Sequence, residues 1–330
     1  MTPRSKSLRT AARLLIGALA LGLAGIAHAQ DKLVVLTTWF AQAEHGGFYQ
    51  AIASGIYKKH GLEVAIRMGG PQVNGMQLMM AGQADMHMGY DFQVLKSLEQ
   101  GLTPVTVATS FQHDLQGVMT HEDVKSLAGL KDKTILVAGT GTTYWWPWLK
   151  AKYGYTDAQM RPYTFNLQPF FADPNIAQQA FASSEPYQAA QKGVKANFLL
   201  LADDGYPPYT QAMTTTQKTV AEKPEMVARF VKATIEGWKS FMENPAPALE
   251  EIKKANPNMT DGQIAYGMQK LRDLKVVSGG DAAKMGIGIM TDERWKKTAD
   301  FMVASGLLKP TTDYKKAYTT QFVKDLKIMP

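Results

Sequence analysis

Cysteine is absent from the 330-residue chain. With it go disulfide staples, a thiol nucleophile and the lipid anchor that a bacterial lipoprotein carries on an N-terminal cysteine. Staples are not needed at this length, because such a chain buries ample apolar surface. Histidine is sparse. Beyond His28 there are His45, His60, His87, His113 and His121. No two are spaced to share a helix face, and His121-Glu122-Asp123 lacks ligand spacing, so no metal is expected. No Gly-x-Ser-x-Gly elbow occurs, which removes the usual sequence sign of a serine hydrolase. No Gly-Lys-Ser/Thr follows a glycine-rich loop, and Tyr144 stands where a dinucleotide fingerprint starting at Gly139-x-Gly141 needs its third glycine. Cofactors are therefore not expected. Lys and Arg number 36 against 29 Asp and Glu, but the signs are interspersed. Without a basic block, nucleic acid is not an expected partner.

One long apolar run is present, LLIGALALGLAGIA at 14–27. Arg4, Lys6, Arg9 and Arg13 precede it, and Ala27-His28-Ala29 follows. That is the charged region, apolar region and cleavage site of a secretory signal peptide spanning 1–29. The run is short for a bilayer span, which needs roughly 20 residues. Removal of the leader takes four positive charges and no negative one, so the net charge falls from +7 to +3. The remaining chain, 30–330, is long for one core, and two lobes are expected in an exported, periplasmic protein.

The pattern of elements is α/β. KLVVLT (32–37) reads as a buried strand, GGFYQAIASGIYKK (46–59) as a helix and LEVAIRM (62–68) as a second strand. A short helix at 74–82, a strand at 84–90, a helix at 91–100 and a strand at 104–111 follow. A second α/β segment starts near 118, with strands at 134–138 and 196–202. Strand, helix, strand is expected over 165–187. Sheets built this way are parallel. Beyond 210 the chain reads as almost all helix, including 224–242 and a capping box at Thr260-x-x-Gln263.

Chemistry gathers in TTWFAQAEHGGFYQA, residues 37–51, which holds Trp39 and the Glu44-His45 pair. Ligands of open parallel sheets bind beyond the carboxyl ends of the strands. Trp39, Tyr90, Tyr144 and Tyr206 fall at or just after strand ends, where flat rings make stacking walls. Thr140, Thr142 and Thr143 in the loop before the tryptophan cluster at 145–148 can hold an anion or a polar ligand edge, or form an ordinary turn. Glu185, before Pro186, can accept from ligand N–H groups if it faces a cleft, or sit in a solvated loop.

Together these residues resemble the periplasmic substrate-binding proteins of ABC importers, in the branch that includes thiamine-pyrimidine-precursor binders and relatives for sulfonates and nitrate. The motifs are Thr38-Trp39, His45-Gly46-Gly47-Phe48-Tyr49, Gly55-x-Tyr57, Gly61-Leu62-Glu63-Val64, the Gly69-Gly70-Pro71 turn, Ala81-Gly82-Gln83-Ala84-Asp85 and Glu185-Pro186. The resemblance covers the chain after the leader. It implies a two-lobed type II periplasmic binding protein fold, with lobe 1 at 30–117 plus 209–330, lobe 2 at 118–208 and the ligand between them. It implies an inner-membrane permease with its ATPase as partners, and a monomer is expected. Carried over by position, Trp39 would stack on a flat heterocycle, His45 would sit at the cleft wall and Glu185 would accept from a ligand nitrogen. Thr38 stands where the pyrimidine branch has Asp or Asn, which leaves room for another flat heterocycle, a sulfonate, nitrate or an aromatic carboxylate. A pyrimidine-synthase-like enzyme is the rival of another class. The cysteine-rich motif of those synthases is missing, and the leader addresses the chain outward.

Overall fold

Residues 30–330 are described by a computed structural model, and the leader read at 1–29 lies outside the described residues. Two five-stranded sheets carry the fold. The first is built from β1 (Asp31–Leu36), β2 (Leu62–Arg67), β3 (Met86–Tyr90), β4 (Pro104–Phe111) and β10 (Thr210–Thr216), in the order β2-β1-β3-β10-β4. The second is built from β5 (Gln116–His121), β6 (Thr134–Val137), β7 (Met160–Pro162), β8 (Ile176–Phe181) and β9 (Ala196–Leu200), in the order β7-β6-β8-β5-β9. The chain leaves the first sheet after β4 and returns to it through β10.

The sheets are mixed, not wholly parallel. β1 pairs in parallel with β2 and β3, and β6 with β7 and β8. The two strands that follow the crossings run the other way: β5 is antiparallel to β8 and β9, and β10 to β3 and β4. Neither is visible as an apolar run. β10 is TQAMTTT, yet all but its last residue are buried. Its threonines stay satisfied through their neighbours. Thr109 Oγ1 donates to Thr210 O at 2.8 Å, Thr215 Oγ1 donates to Asp85 O at 2.8 Å, and the Thr106 and Thr214 hydroxyls pair at 3.3 Å. β-Branched residues favour strands even when polar, provided each buried hydroxyl finds a partner.

Three local expectations need correction. The helix expected over 46–59 is two helices, Gly46–Ala53 and Ile56–Lys59, broken where Gly55 takes φ 66°. The segment 165–187 is helix (Gln168–Ala172), strand (β8) and helix (Glu185–Gln191), with Pro186 in that last helix's first turn. Proline fits there because its missing N–H would be unpaired in any case. Half of the capping box at Thr260 forms: its Oγ1 accepts from Gln263 N at 3.1 Å. The Gln263 amide instead donates to Ser183 O and Ser184 O, both at 3.2 Å, tying the helix Asp261–Asp273 to the segment after β8.

The motif His45-Gly46-Gly47 is shaped by packing. The helix Gly46–Ala53 lies so close to the long helix Pro224–Glu243 that a Cβ on Gly46 would meet the Phe241 ring at 2.0 Å. One on Gly47 would meet Trp238 at 2.3 Å, and one on Gly237 would meet Gly47 O at 2.4 Å. The glycines let two backbones touch, and this fixes the helix start where His45 sits. A second core collects Trp145, Trp146 and Trp148, all buried, with Phe92 and Met76 from beside the first sheet. All three tryptophans therefore pack in the interior. Overpacking of this kind typically costs about 1–3 kcal/mol. Gly47→Ala is expected to lower stability by that amount in urea denaturation, whereas Gly82→Ala, which meets nothing within 4 Å but takes φ 74°, reports backbone strain alone. No loss in Gly47→Ala would contradict the packing role.

Candidate functional site

A cavity lies where the carboxyl ends of β1, β3 and β6 face one another between the sheets. From the first sheet's side come Thr38, Trp39, Glu44, His45 and Tyr90; from the second come Thr140, Tyr144 and Glu185. Eight of the eleven candidate residues thus share one cavity.

Trp39 is aimed by its own turn. Thr37 Oγ1 donates to Trp39 O at 2.7 Å and accepts from Gly69 N at 3.2 Å. A side chain at position 69 would collide with Thr37 O at 2.2 Å, so glycine is required for this close approach. The Trp39 ring then lies nearly parallel to Tyr163, with centroids 6.3 Å apart, and edge-on to Phe165 at 5.8 Å. Tyr90 stacks on Tyr144 at 4.4 Å, again one ring from beside each sheet. His45 touches Thr38, Oγ1 to Nε2, at 3.4 Å.

Three candidates lie elsewhere. Tyr206 is buried against Trp148 at 5.0 Å and Phe92 at 5.2 Å, inside the second core. Thr142 and Thr143 line an outer groove that borders the cavity at Tyr144 and Gln93. Their hydroxyls turn back onto Gly139 O at 2.6 Å and Thr140 O at 2.8 Å. The amides of 142, 143 and 144 are likewise taken by Ala138, Thr140 and Gly141 carbonyls. At 142–144 the loop is a self-satisfied turn.

Burial dominates the electrostatics. It pushes the Glu44 carboxyl up to about 7, with Glu185 nearby adding to the effect, and pushes Glu185 up to about 7 as well. Glu185 accepts from Tyr163 Oη and from Phe181 N, both at 2.8 Å, and Glu44 accepts from Ser183 Oγ at 3.2 Å. Burial also pushes His45 down to about 3 and His87 down to about 4, so both rings are neutral near pH 7. No Lys or Arg lines the cavity.

The residues that sequence reasoning missed are mostly amides. Gln42, Gln93, Gln116, Gln179 and Gln211 line the cavity, with His87 and Ser184. Several present buried atoms without a protein partner: both side-chain atoms of Gln42 and Oε1 of Gln116 and Gln211. Buried polar atoms are normally paired, and each unpaired one costs about 1–3 kcal/mol. A cluster of them in one cavity is a hydrogen-bonding surface for something else. The available signal was polar residues opening strands that are otherwise buried: Gln116 begins β5 and Gln211 is second in β10.

The chain matches the family described as NMT1/THI5 like over residues 42–248 and belongs to it. It is 25% identical over 307 residues to the riboflavin-binding protein RibY of Chloroflexus aurantiacus, covering 89% of this chain and 86% of that one. It is 25% identical over 236 residues to a formylaminopyrimidine-binding protein of Halalkalibacterium halodurans, covering 68% and 70%. Among solved structures, the periplasmic aliphatic sulphonate binding protein SsuA of Escherichia coli superposes with TM-score 0.63 at 12% identity, over 87% of this chain and 91% of that one. The desulfurization enzyme DszB superposes with TM-score 0.53 at 15% identity, over 90% and 98%. The fold is that of the periplasmic binding proteins, and it serves both binders and at least one enzyme.

The raised carboxyls make stability depend on pH. A buried acid whose folded pKa lies above its unfolded value stabilises the fold while protonated, and that contribution is lost as pH rises through the folded value. For Glu44 the window runs from 4.5 to about 7. Glu44→Gln, which stays neutral, is expected to gain in melting temperature relative to the unsubstituted protein as pH rises from 4.5 to 7 and to hold that gain above it. A difference that is flat with pH would contradict the burial of Glu44 as a titrating acid.

Proposed function

We propose that this protein is the solute-binding component of an ABC importer, working in the periplasm and capturing an uncharged, flat nitrogen heterocycle between two lobes. The lobes are 30–117 with 209–330, and 118–208, bending at the crossings after β4 and before β10. An inner-membrane permease with its ATPase receives the closed form, since closure around a ligand is what such a partner reads.

The observation that carries the reading is the cavity lining: five glutamines, two neutral histidines and two carboxyls held near 7, with no cationic side chain. An anion buried there would meet two carboxyls and no compensating positive charge, which is unfavourable. That argues against a sulfonate, nitrate or aromatic carboxylate, although a protein of this fold binds aliphatic sulphonate. Amides suit the alternating donors and acceptors of a pyrimidine or a flavin ring. Trp39, Tyr90 and Tyr144 supply flat faces. The named ligands of the two relatives, riboflavin and a formylaminopyrimidine, are both nitrogen heterocycles. An enzymatic role finds little support: the cavity holds no cysteine.

A thermal-shift panel on residues 30–330 tests this. Riboflavin and aminopyrimidines should raise the melting temperature, and alkanesulfonates, nitrate and benzoate should not. A ligand at 100 times its Kd adds about 2.7 kcal/mol, which is readily seen. Trp39→Ala and Glu185→Ala should each weaken binding of the hit about tenfold or more. A response to anions alone would overturn the proposal.

A further inference from the structure

Gln211 is an outlier in the backbone. It takes φ 52°, a left-handed conformation that glycine favours and glutamine rarely adopts. The cause is a β-bulge. Across β3, Thr210 stands opposite Tyr90 and Ala212 opposite Gly89, so Gln211 is an extra residue on β10. On the other side the register holds at this point, with Thr210 opposite Phe111 and Ala212 opposite Thr109, and shifts only between Met213 and Thr214. The bulge therefore turns one side chain out of the ladder on the β3 side alone. That side chain lines the cavity and is 4% exposed, and its Oε1 has no protein partner. A bulge next to a cavity re-aims a side chain, and a strained residue persists only where its surroundings over-determine it. Glycine would fit the backbone better. Retaining glutamine keeps an amide in the cavity.

The geometry points to Gln211 as a residue that sets ligand specificity. We infer that its amide pairs with an adjacent donor and acceptor on one edge of the ring: a lactam, an imide or an amino group beside a ring nitrogen. A primary amide presents one acceptor and one donor side by side and reads such an edge in a bidentate way. This rests on the proposed function and narrows it to heterocycles with an unblocked N–H edge. Gln116, whose amide already donates to Gly117 O and Ala180 O, has only its acceptor left and cannot read both partners.

The test pairs each probe with an analogue methylated on that edge: riboflavin with 3-methylriboflavin, and 2-methyl-4-aminopyrimidine with its 4-dimethylamino form. Binding is measured by titration calorimetry on residues 30–330 and on Gln211→Ala and Gln211→Gly. Methylation should weaken binding of the better probe at least tenfold in the unsubstituted protein and less than threefold in both variants. Gln211→Gly should also melt above Gln211→Ala, because glycine relieves the left-handed strain; it keeps the comparison available if the alanine variant folds poorly. Equal sensitivity to methylation in all three proteins, or none in the unsubstituted one, overturns the role of Gln211 and leaves the importer reading intact. Failure of both parent probes to bind the unsubstituted protein removes the heterocycle reading and this assignment with it.

Discussion

Each sheet is completed by a strand that arrives from the other. β10 is wedged between β3 and β4, and β5 between β8 and β9, both against the direction of their neighbours. Neither sheet can form its full order until the chain has crossed. The same two strands deliver Gln116 and Gln211 to the cavity straight after their crossings, so the segments that tie the sheets together also equip the site. The close pairing of helices 46–53 and 224–243 then holds the start of the first, with His45, against the cavity.

The chemistry of the cavity follows from how little charge it keeps. Glu44 and Glu185 are buried without a cation, which raises both carboxyls toward neutrality, while His45 and His87 are held neutral by the same burial. What remains is a field of amides, hydroxyls and rings. Such a lining distinguishes ligands by the placement of donors and acceptors and by flatness, and rejects net negative charge through desolvation. Stacking pairs join the two sides at Tyr90–Tyr144 and Trp39–Tyr163, and Gln263 ties the C-terminal helices to Ser183 and Ser184. Contacts of this kind join the two sides of the cavity.

Apolar periodicity made most of the fold legible. β1, β4, β6 and β9 are largely apolar and β2 alternates, and these strands stood out with boundaries close to those observed. β5 and β10 did not, because their burial is compensated by hydrogen bonds and not by hydrophobicity. The Trp39 and His45 end of the cavity was visible as an unusual concentration of residue types. The glutamines were not, since glutamine is common on surfaces and only burial without a partner marks it. Glu185 was read beside a strand end, while the structure places it in the first turn of a helix. Tyr206, Thr142 and Thr143 follow strands as Tyr90 does, but the ring of Tyr206 turns into the core and the two threonine hydroxyls close on their own turn. Position along a strand gives no direction for the side chain beyond it.

The most direct measurement is the identity of the molecule that residues 30–330 retain through gentle purification, read by native mass spectrometry and then by mass and absorbance after denaturing release. The account predicts an uncharged, ultraviolet-absorbing nitrogen heterocycle at one per chain, displaced when Trp39 is replaced by alanine. A sulfonate, carboxylate or other anion retained at one per chain and lost with the same substitution would contradict it.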